Sequence, residues 1–228
     1  MKTIVLNSQK GGSGKTALCR VLSVQAAYPE KNAEPVPVYL IDTDPQGTLN
    51  QWHDVRQAAD PRRVEPDINK ISETLVRLKE MGAEYVFIDT PPQASQRLDH
   101  LFKLADLVLV PIKPTPDDLK AATTTVSRLK ALAVPYLFVI TQAIQNTNIT
   151  AQAIAALSHH GAVAETLVVN RVIYPAAFTD GRTPQEIEPH GPAAREIRKL
   201  WDNIQSYFHT NIQSLAENER TEREVAHA

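Results

Sequence analysis

The sequence predicts an α/β fold, a mostly parallel β-sheet flanked by helices on both faces. Two observations carry this reading. Six short runs, at residues 2–7, 36–41, 84–88, 107–111, 135–140 and 166–169, are rich in Val, Ile, Leu, Tyr and Phe, and are mostly continuous rather than alternating. Strands buried on both faces have this pattern. Helix-length stretches at 15–27, 68–79, 95–104, 116–132 and 150–159 lie between the runs, and that alternation reads as βαβ units.

Taken in order, the first run leads into a glycine-rich segment and then a helix. Residues 29–37 carry three prolines and are expected to form a loop before the second run. The second and third runs each end in aspartate, at Asp42 and Asp89. Near the C-terminus, Ile197, Leu200, Trp201, Ile204, Tyr207, Phe208, Ile212 and Leu215 make one apolar stripe at helical spacing over 193–215. This stripe is expected to pack on the sheet rather than on a membrane. Residues 217–228 alternate charge, with few apolar side chains, and should fray or extend a helix into solvent. With no internal repeat and no long linker, the 228 residues are assigned one domain over 1–212 and a polar tail over 213–228.

Composition narrows the function. Hydrophobic residues at 43% and charged residues at 22% are the balance of a soluble globular protein. The single cysteine, Cys19, excludes an internal disulfide framework and an all-cysteine metal or iron–sulfur site within one chain. No apolar run reaches the length of a membrane span, about 18 residues. Residues 1–7 turn polar too soon for a secretion signal, so a cytoplasmic location is expected. A formal charge of −2 argues against a strongly basic nucleic-acid protein but leaves room for a local basic patch.

The segment Lys10-Gly11-Gly12-Ser13-Gly14-Lys15-Thr16 joins the first strand to the first helix. It departs from the general phosphate-loop pattern, whose opening glycine would fall near Ser8 or Gln9. The physics is unchanged. Glycines let successive backbone N–H groups face phosphate oxygens, and the helix adds its positive end. Lys15 is placed to reach the phosphates and the Thr16 hydroxyl to ligate Mg²⁺. A flexible glycine turn is the competing reading, and the position directly after a strand weighs against it. Asp89 sits where a parallel sheet presents groups to its ligand crevice, and is the candidate carboxylate for Mg²⁺; a helix-capping aspartate is the alternative. In Asp42-Thr43-Asp44-Pro45-Gln46-Gly47 two carboxylates flank one residue, so in extended chain they face opposite sides. One can face the metal and the other the attacking water.

Lys10–Thr16, Asp42–Gly47 and Ile88-Asp89-Thr90-Pro91-Pro92 together resemble the ParA/MinD family of deviant Walker ATPases, a branch of the P-loop NTPase fold. They look most like its small plasmid-partition members, over roughly residues 1–205. Residues 111–119 resemble the segment after the family's fourth core strand, and residues 171–197 its C-terminal pattern. As in the small branch, no winged DNA-binding segment is expected before the first strand. The resemblance implies ATP and Mg²⁺ as cofactors. It makes Lys10 the signature lysine that crosses a sandwich dimer, Lys15 the loop lysine and Thr16 a Mg²⁺ ligand. Asp44 becomes the residue orienting the hydrolytic water, with Asp42 and Asp89 around the metal. Ala17 stands where the family has a second threonine, and the 29–37 loop is longer than usual. Residues 141–142 and 170–178 occupy the expected place of the adenine pocket.

The resemblance leaves three functions to weigh. The favoured one is an ATPase that dimerises on ATP, binds DNA non-specifically on the nucleoid and hydrolyses ATP when a ParB-like or other adaptor triggers it. Its cargo would be a plasmid, a conjugation complex or a protein assembly. A membrane-surface ATPase like MinD would need a basic amphipathic tail, whereas this tail carries Glu217, Glu219, Glu222 and Glu224; stable membrane binding is therefore not expected. A metabolic ATP-dependent enzyme on the same scaffold is the third. For DNA, Arg195, Arg198 and Lys199 share a helix face at i, i+3 and i+4, and a dimer would double that face. A solvated face with local ion pairs is the alternative.

Overall fold

The computed structural model describes residues 1–29, 34–92, 96–144 and 147–226. Along the chain run β1 (Lys2–Leu6), α1 (Lys15–Ala27), β2 (Val38–Asp42), α2 (Thr48–Asp54) and β3 (Arg62–Val64). A 3-10 turn (Ile68–Lys70) leads into α3 (Ile71–Glu80), followed by β4 (Tyr85–Asp89), α4 (Gln96–Lys103), β5 (Leu107–Ile112), α5 (Pro116–Ala131) and β6 (Tyr136–Ile140). The chain then forms α6 (Asn148–Ser158), α7 (Ile173–Phe178), α8 (Pro184–Ile187) and α9 (Pro192–Ala226). Six parallel strands form one sheet in the order β3-β2-β4-β1-β5-β6.

Alternate residues of each central strand feed two separate cores. Ile4, Leu6, Leu40, Phe87 and Leu109 face α1, α2 and α9, through Leu18, Leu22, Trp52, Ile197, Leu200 and Trp201. Val5, Ile41, Ile88, Val108 and Val110 face α3 to α6, through Ile71, Leu75, Phe102, Val126 and Leu157. This two-sided burial is what the continuous apolar runs require.

Two strands differ from the sequence reading, and the short helices α2, α7 and α8 are not expected from it. Residues 166–169 do not form a ladder strand; Val169 makes only an isolated bridge to Ala143. The backbone N–H of Thr166 is taken by the Asn203 side chain (3.0 Å) and that of Val169 by Glu196 (3.3 Å). Val168 N still donates to Ile140 O at 2.9 Å, but with Thr166 and Val169 bonded to α9 the segment does not continue the ladder. The sixth strand is instead β3, at the sheet edge, where Arg62 pairs opposite Tyr39. Two arginines in a three-residue strand leave no apolar run to detect. Of the 29–37 loop, residues 30–33 lie outside the described residues; Val36 N donates to Ala27 O at 2.9 Å where the chain returns. Helix α9 carries the charged tail as far as Ala226, and residues 227–228 lie outside the described residues.

The apolar stripe of α9 packs on the sheet from Ile197 to Phe208; Ile212 and Leu215 lie outside the residues whose side chains are described. Trp201 meets Tyr85 edge-on with ring centroids 5.1 Å apart and Phe87 at 6.1 Å, and it is 6% exposed. Trp201→Ala should destabilise the fold by about 3–5 kcal/mol, as expected for emptying a large core site. Urea unfolding monitored by far-UV circular dichroism would measure it; a loss under about 1 kcal/mol would mean that α9 is not part of the cooperative core.

Candidate nucleotide site

β1 ends beside β4 and β5, with Leu6 opposite both Asp89 and Leu109. The glycine-rich loop therefore emerges in the crevice at the carboxyl edge of the sheet. Gly12 (φ 72°) and Gly14 (φ 94°) take left-handed backbone conformations that turn the chain into α1. α1 has no side-chain N-cap bond and no acidic residue in its first turn, so its leading N–H groups stay available to an anion. Two carbonyls of the loop are held by side chains that follow β6. Thr141 Oγ1 donates to Ser13 O and Gln142 Nε2 to Gly12 O, both at 2.7 Å.

Lys15 is buried at the start of α1. Burial lowers its pKa, opposed by the charges of Asp89 and then Asp44. Thr16 Oγ1 donates to Asp89 Oδ2 at 2.6 Å. Asp89 is 1% exposed, and its Oδ1 has no hydrogen-bond partner among the described residues. Burial pushes its carboxyl up to about 7, against the Thr16 hydrogen bond. A buried carboxylate with one unused oxygen, beside a threonine hydroxyl and a lysine, suits a divalent cation and a phosphate chain.

The two other aspartates divide as the strand geometry predicts, into different environments. Asp42 folds back over the start of α2: Oδ1 accepts from Asp44 N (3.0 Å), and Oδ2 from Leu49 N (3.0 Å) and Asn50 N (3.1 Å). It thus caps a helix that starts at Gly47 without a side-chain cap of its own. Burial raises its pKa, and the three N–H donors oppose that rise. Asp44 stands farther out; its Oδ1 accepts from Gln46 N at 3.0 Å.

Lys10 does not fold into its own loop. Its Nζ lies 3.0 Å from Asp118 Oδ2 and 3.7 Å from Asp117 Oδ2, both in the first turn of α5. Asp118 is buried, accepts also from Thr115 Oγ1 (2.6 Å), and leaves Oδ1 without a partner among the described residues.

An apolar cavity of about 210 Å³ opens beside the loop, lined in part by Ala17, Leu18, Val21, Gln142, Tyr174 and Phe178. The two segments expected near the base, 141–142 and 170–178, both contribute to its wall. Arg20 lies buried behind it. Its Nη2 donates to Thr48 O at 2.7 Å, and its guanidinium sits 4.7 Å from the Phe178 ring centroid and 5.7 Å from that of Trp52. Arg56 lies 5.3 Å from the Trp52 ring and forms a two-pronged pair with Glu186 (2.7 and 2.9 Å). These contacts tie α1, α2, α7 and α8 together. Sequence reasoning missed this cluster, although a lone arginine inside Leu18-Cys19-Arg20-Val21-Leu22 signals a buried charge in need of partners. Cys19 is fully buried, and burial raises its thiol pKa, which makes it an inert core residue.

Lys10 to Thr16, Asp42, Asp44 and Asp89 thus converge on one edge of the sheet. Arg195, Arg198 and Lys199 lie apart from them, on α9. Arg195 Nη1 donates to His190 O and Arg198 Nη2 to Pro189 O (2.9 Å), while Lys199 is exposed.

Asp89 sets a pH dependence. An ordinary aspartate titrates near 3.8; between that pH and about 7 the unfolded chain has lost a proton that the folded chain keeps. The stability contributed by protonated Asp89 is therefore present below this window and declines as the pH rises through it. Melting midpoints of the metal-free protein should fall from about pH 5 to 7.5, and Asp89→Asn should flatten that slope. Equal slopes in the two proteins would refute the assignment.

Residues 4–179 match the family described as the CobQ/CobB/MinD/ParA nucleotide binding domain. The maintenance of carboxysome distribution protein A of Halothiobacillus neapolitanus is 24% identical over 212 residues, covering 89% of this chain and 95% of its own length. Protein ParA of Rhizobium radiobacter is 25% identical over 192 residues, covering 79% of this chain and 84% of its own. Among solved structures, the septum site-determining protein MinD of Pyrococcus horikoshii, complexed with Mg-ADP, shares the fold with a TM-score of 0.70 at 16% identity, covering 89% of this chain and 95% of that one. With more than half of its length matched and the phosphate loop at the carboxyl edge of a parallel sheet, the chain belongs to the CobQ/CobB/MinD/ParA family and is an ATPase of the ParA/MinD type.

Proposed function

We propose that this ATPase is a cargo-positioning switch. It closes a homodimer on ATP, holds non-specific DNA in that state, and lets go when an adaptor protein stimulates hydrolysis. The observation that carries this reading is the place of Lys10. Its ammonium is turned away from its own loop and held on the surface of α5, where a second subunit could take it over. Two relatives are named for carboxysome distribution and as ParA, which favours a protein assembly or a plasmid as cargo. Arg195, Arg198 and Lys199 are the candidate DNA contacts, acting through phosphate neutralisation.

Thr16 and Asp89 would hold Mg²⁺, with Asp42 beside them. When bound, the ion would neutralise phosphate charge. Lys15 and the N–H groups of the loop bind the phosphate chain, and the apolar cavity by Tyr174 and Phe178 receives the base. Asp44, standing outside the cap formed by Asp42, is placed to orient water.

Lys10→Ala should leave monomer affinity for ATP within a few-fold of wild type and abolish the ATP-dependent dimer in analytical ultracentrifugation. Full dimerisation would remove Lys10 from the mechanism. Asp44→Ala should still bind ATP but turn over about 10²–10⁴-fold more slowly, and in a shift assay with random-sequence DNA its complex should outlast that of the wild type. Asp42→Ala is the contrasting variant: losing the carboxylate that accepts from three backbone N–H groups, it should weaken Mg²⁺–ATP binding and lower stability. Swapped behaviour would exchange the two roles, and ATP-dependent pelleting with anionic liposomes in place of DNA binding would overturn the positioning scheme in favour of a membrane-surface ATPase.

A further inference from the structure

We propose that Lys113 is an additional phosphate-binding residue, contacting the terminal phosphate of a nucleoside triphosphate from within its own subunit. The inference rests on the nucleotide reading of the loop and adds a residue that the loop motif does not contain.

Lys113 comes directly after β5, whose neighbour in the sheet is β1, so the segments leaving the two strands enter the same crevice. Its backbone is fixed. Pro111 and Pro114 flank it and are both buried, and Thr115 N closes a tight turn onto Lys113 O at 2.7 Å. The side chain reaches the phosphate loop: a Cβ built on Gly12 would lie 3.6 Å from Lys113 Nζ. Gly12 precedes the start of α1, where Lys15 stands, so the two ammonium groups meet different parts of the loop.

Charge separates Lys113 from the other two lysines. Lys10 is paired with Asp118 and Asp117, and Lys15 feels Asp89 and Asp44. Lys113 is half-buried, yet among the described residues no hydrogen bond or ion pair involves its ammonium. A half-buried cation on a loop built for anions, without a counter-charge of its own, is matched to a ligand that brings one. A triphosphate brings more negative charge than a diphosphate, and a second cation on the loop, besides Lys15, answers that added charge. Lys113 therefore favours ATP over ADP. Packing of the lysine stem against the loop, with no ligand role, is the competing account, and the two differ in what a charge-removing variant does to that preference.

The test measures dissociation constants for ADP and for a slowly hydrolysed ATP analogue, by calorimetry, on the wild type, Lys113→Gln, Lys113→Arg and Lys15→Ala. Lys113→Gln should lose about 10-fold in affinity for the triphosphate, the scale of one charged hydrogen bond, and less than about 2-fold for ADP. Lys113→Arg should keep most of the preference. Lys15→Ala should lose both nucleotides. Equal losses for ATP analogue and ADP in Lys113→Gln, or no loss for either, would overturn the proposal while leaving the nucleotide site intact. If Lys113→Gln is poorly folded by its melting curve, Lys113→Arg decides: an unchanged melting curve with the preference abolished would also refute charge contact. Failure of the wild type to bind either nucleotide, or unchanged binding by Lys15→Ala, would overturn the underlying site.

Discussion

β1 is the constraint around which everything else is arranged. It is paired on both sides at once, with β4 and β5, and its side chains supply both cores. That leaves its carboxyl end nowhere to go but into the crevice, between Asp89 at the end of β4 and the turn after β5. The phosphate loop is thus not a flexible appendage. Its conformation is set by left-handed glycines, the Gly12 and Ser13 carbonyls are held by Gln142 and Thr141, and the leading N–H groups of α1 stay unspent because that helix has no side-chain cap. Preorganisation of this kind moves the cost of ordering a binding loop from the binding step to folding.

Electrostatics at the same edge are held in tension. Asp89 is nearly inaccessible to water, so its negative charge is disfavoured until cations join it. Lys15 is buried too, and its positive charge is disfavoured for the same reason. Each makes the other more tolerable without fully compensating it. Asp42 is disfavoured by burial as well, but both its oxygens are held by backbone donors, which fixes it at the start of α2. Behind them, Arg20 and Arg56 stack around Trp52 and link the helix after the loop to α7 and α8. A change at the wall of the apolar cavity, through Phe178, therefore touches the same cluster that seats α2.

Much of this is legible in the residues. Continuous Val, Ile and Leu runs announce strands buried on both faces, and they place β1, β2, β4, β5 and β6 within one or two residues of where they lie. The loop and the three aspartates are legible because phosphate and metal chemistry permit few residue types at fixed spacing. The illegible parts depend on tertiary partners that local pattern does not encode. β3 is short and carries Arg62 and Arg63, so nothing apolar marks it. Residues 166–169 have strand composition, yet Asn203 and Glu196, distant in sequence, claim the N–H groups of Thr166 and Val169. Asp118 looks like an ordinary first-turn acid of α5, and only the fold reveals that Lys10 rests on it.

The order of strands also governs how the chain must assemble. β1 precedes its partners in the chain, and they begin only at Tyr85 and Leu107. Until the ribosome has released both, the central strand has no neighbour and the loop after it has no crevice. Early contacts are confined to nearby elements such as β1 with α1, and closing the sheet requires long-range pairing, the slow kind of step in folding. Nucleotide accordingly cannot template the early stages; it can only trap the fold after β5 has docked. The loop after β1 thus gains its crevice only once β4 and β5 are paired beside it.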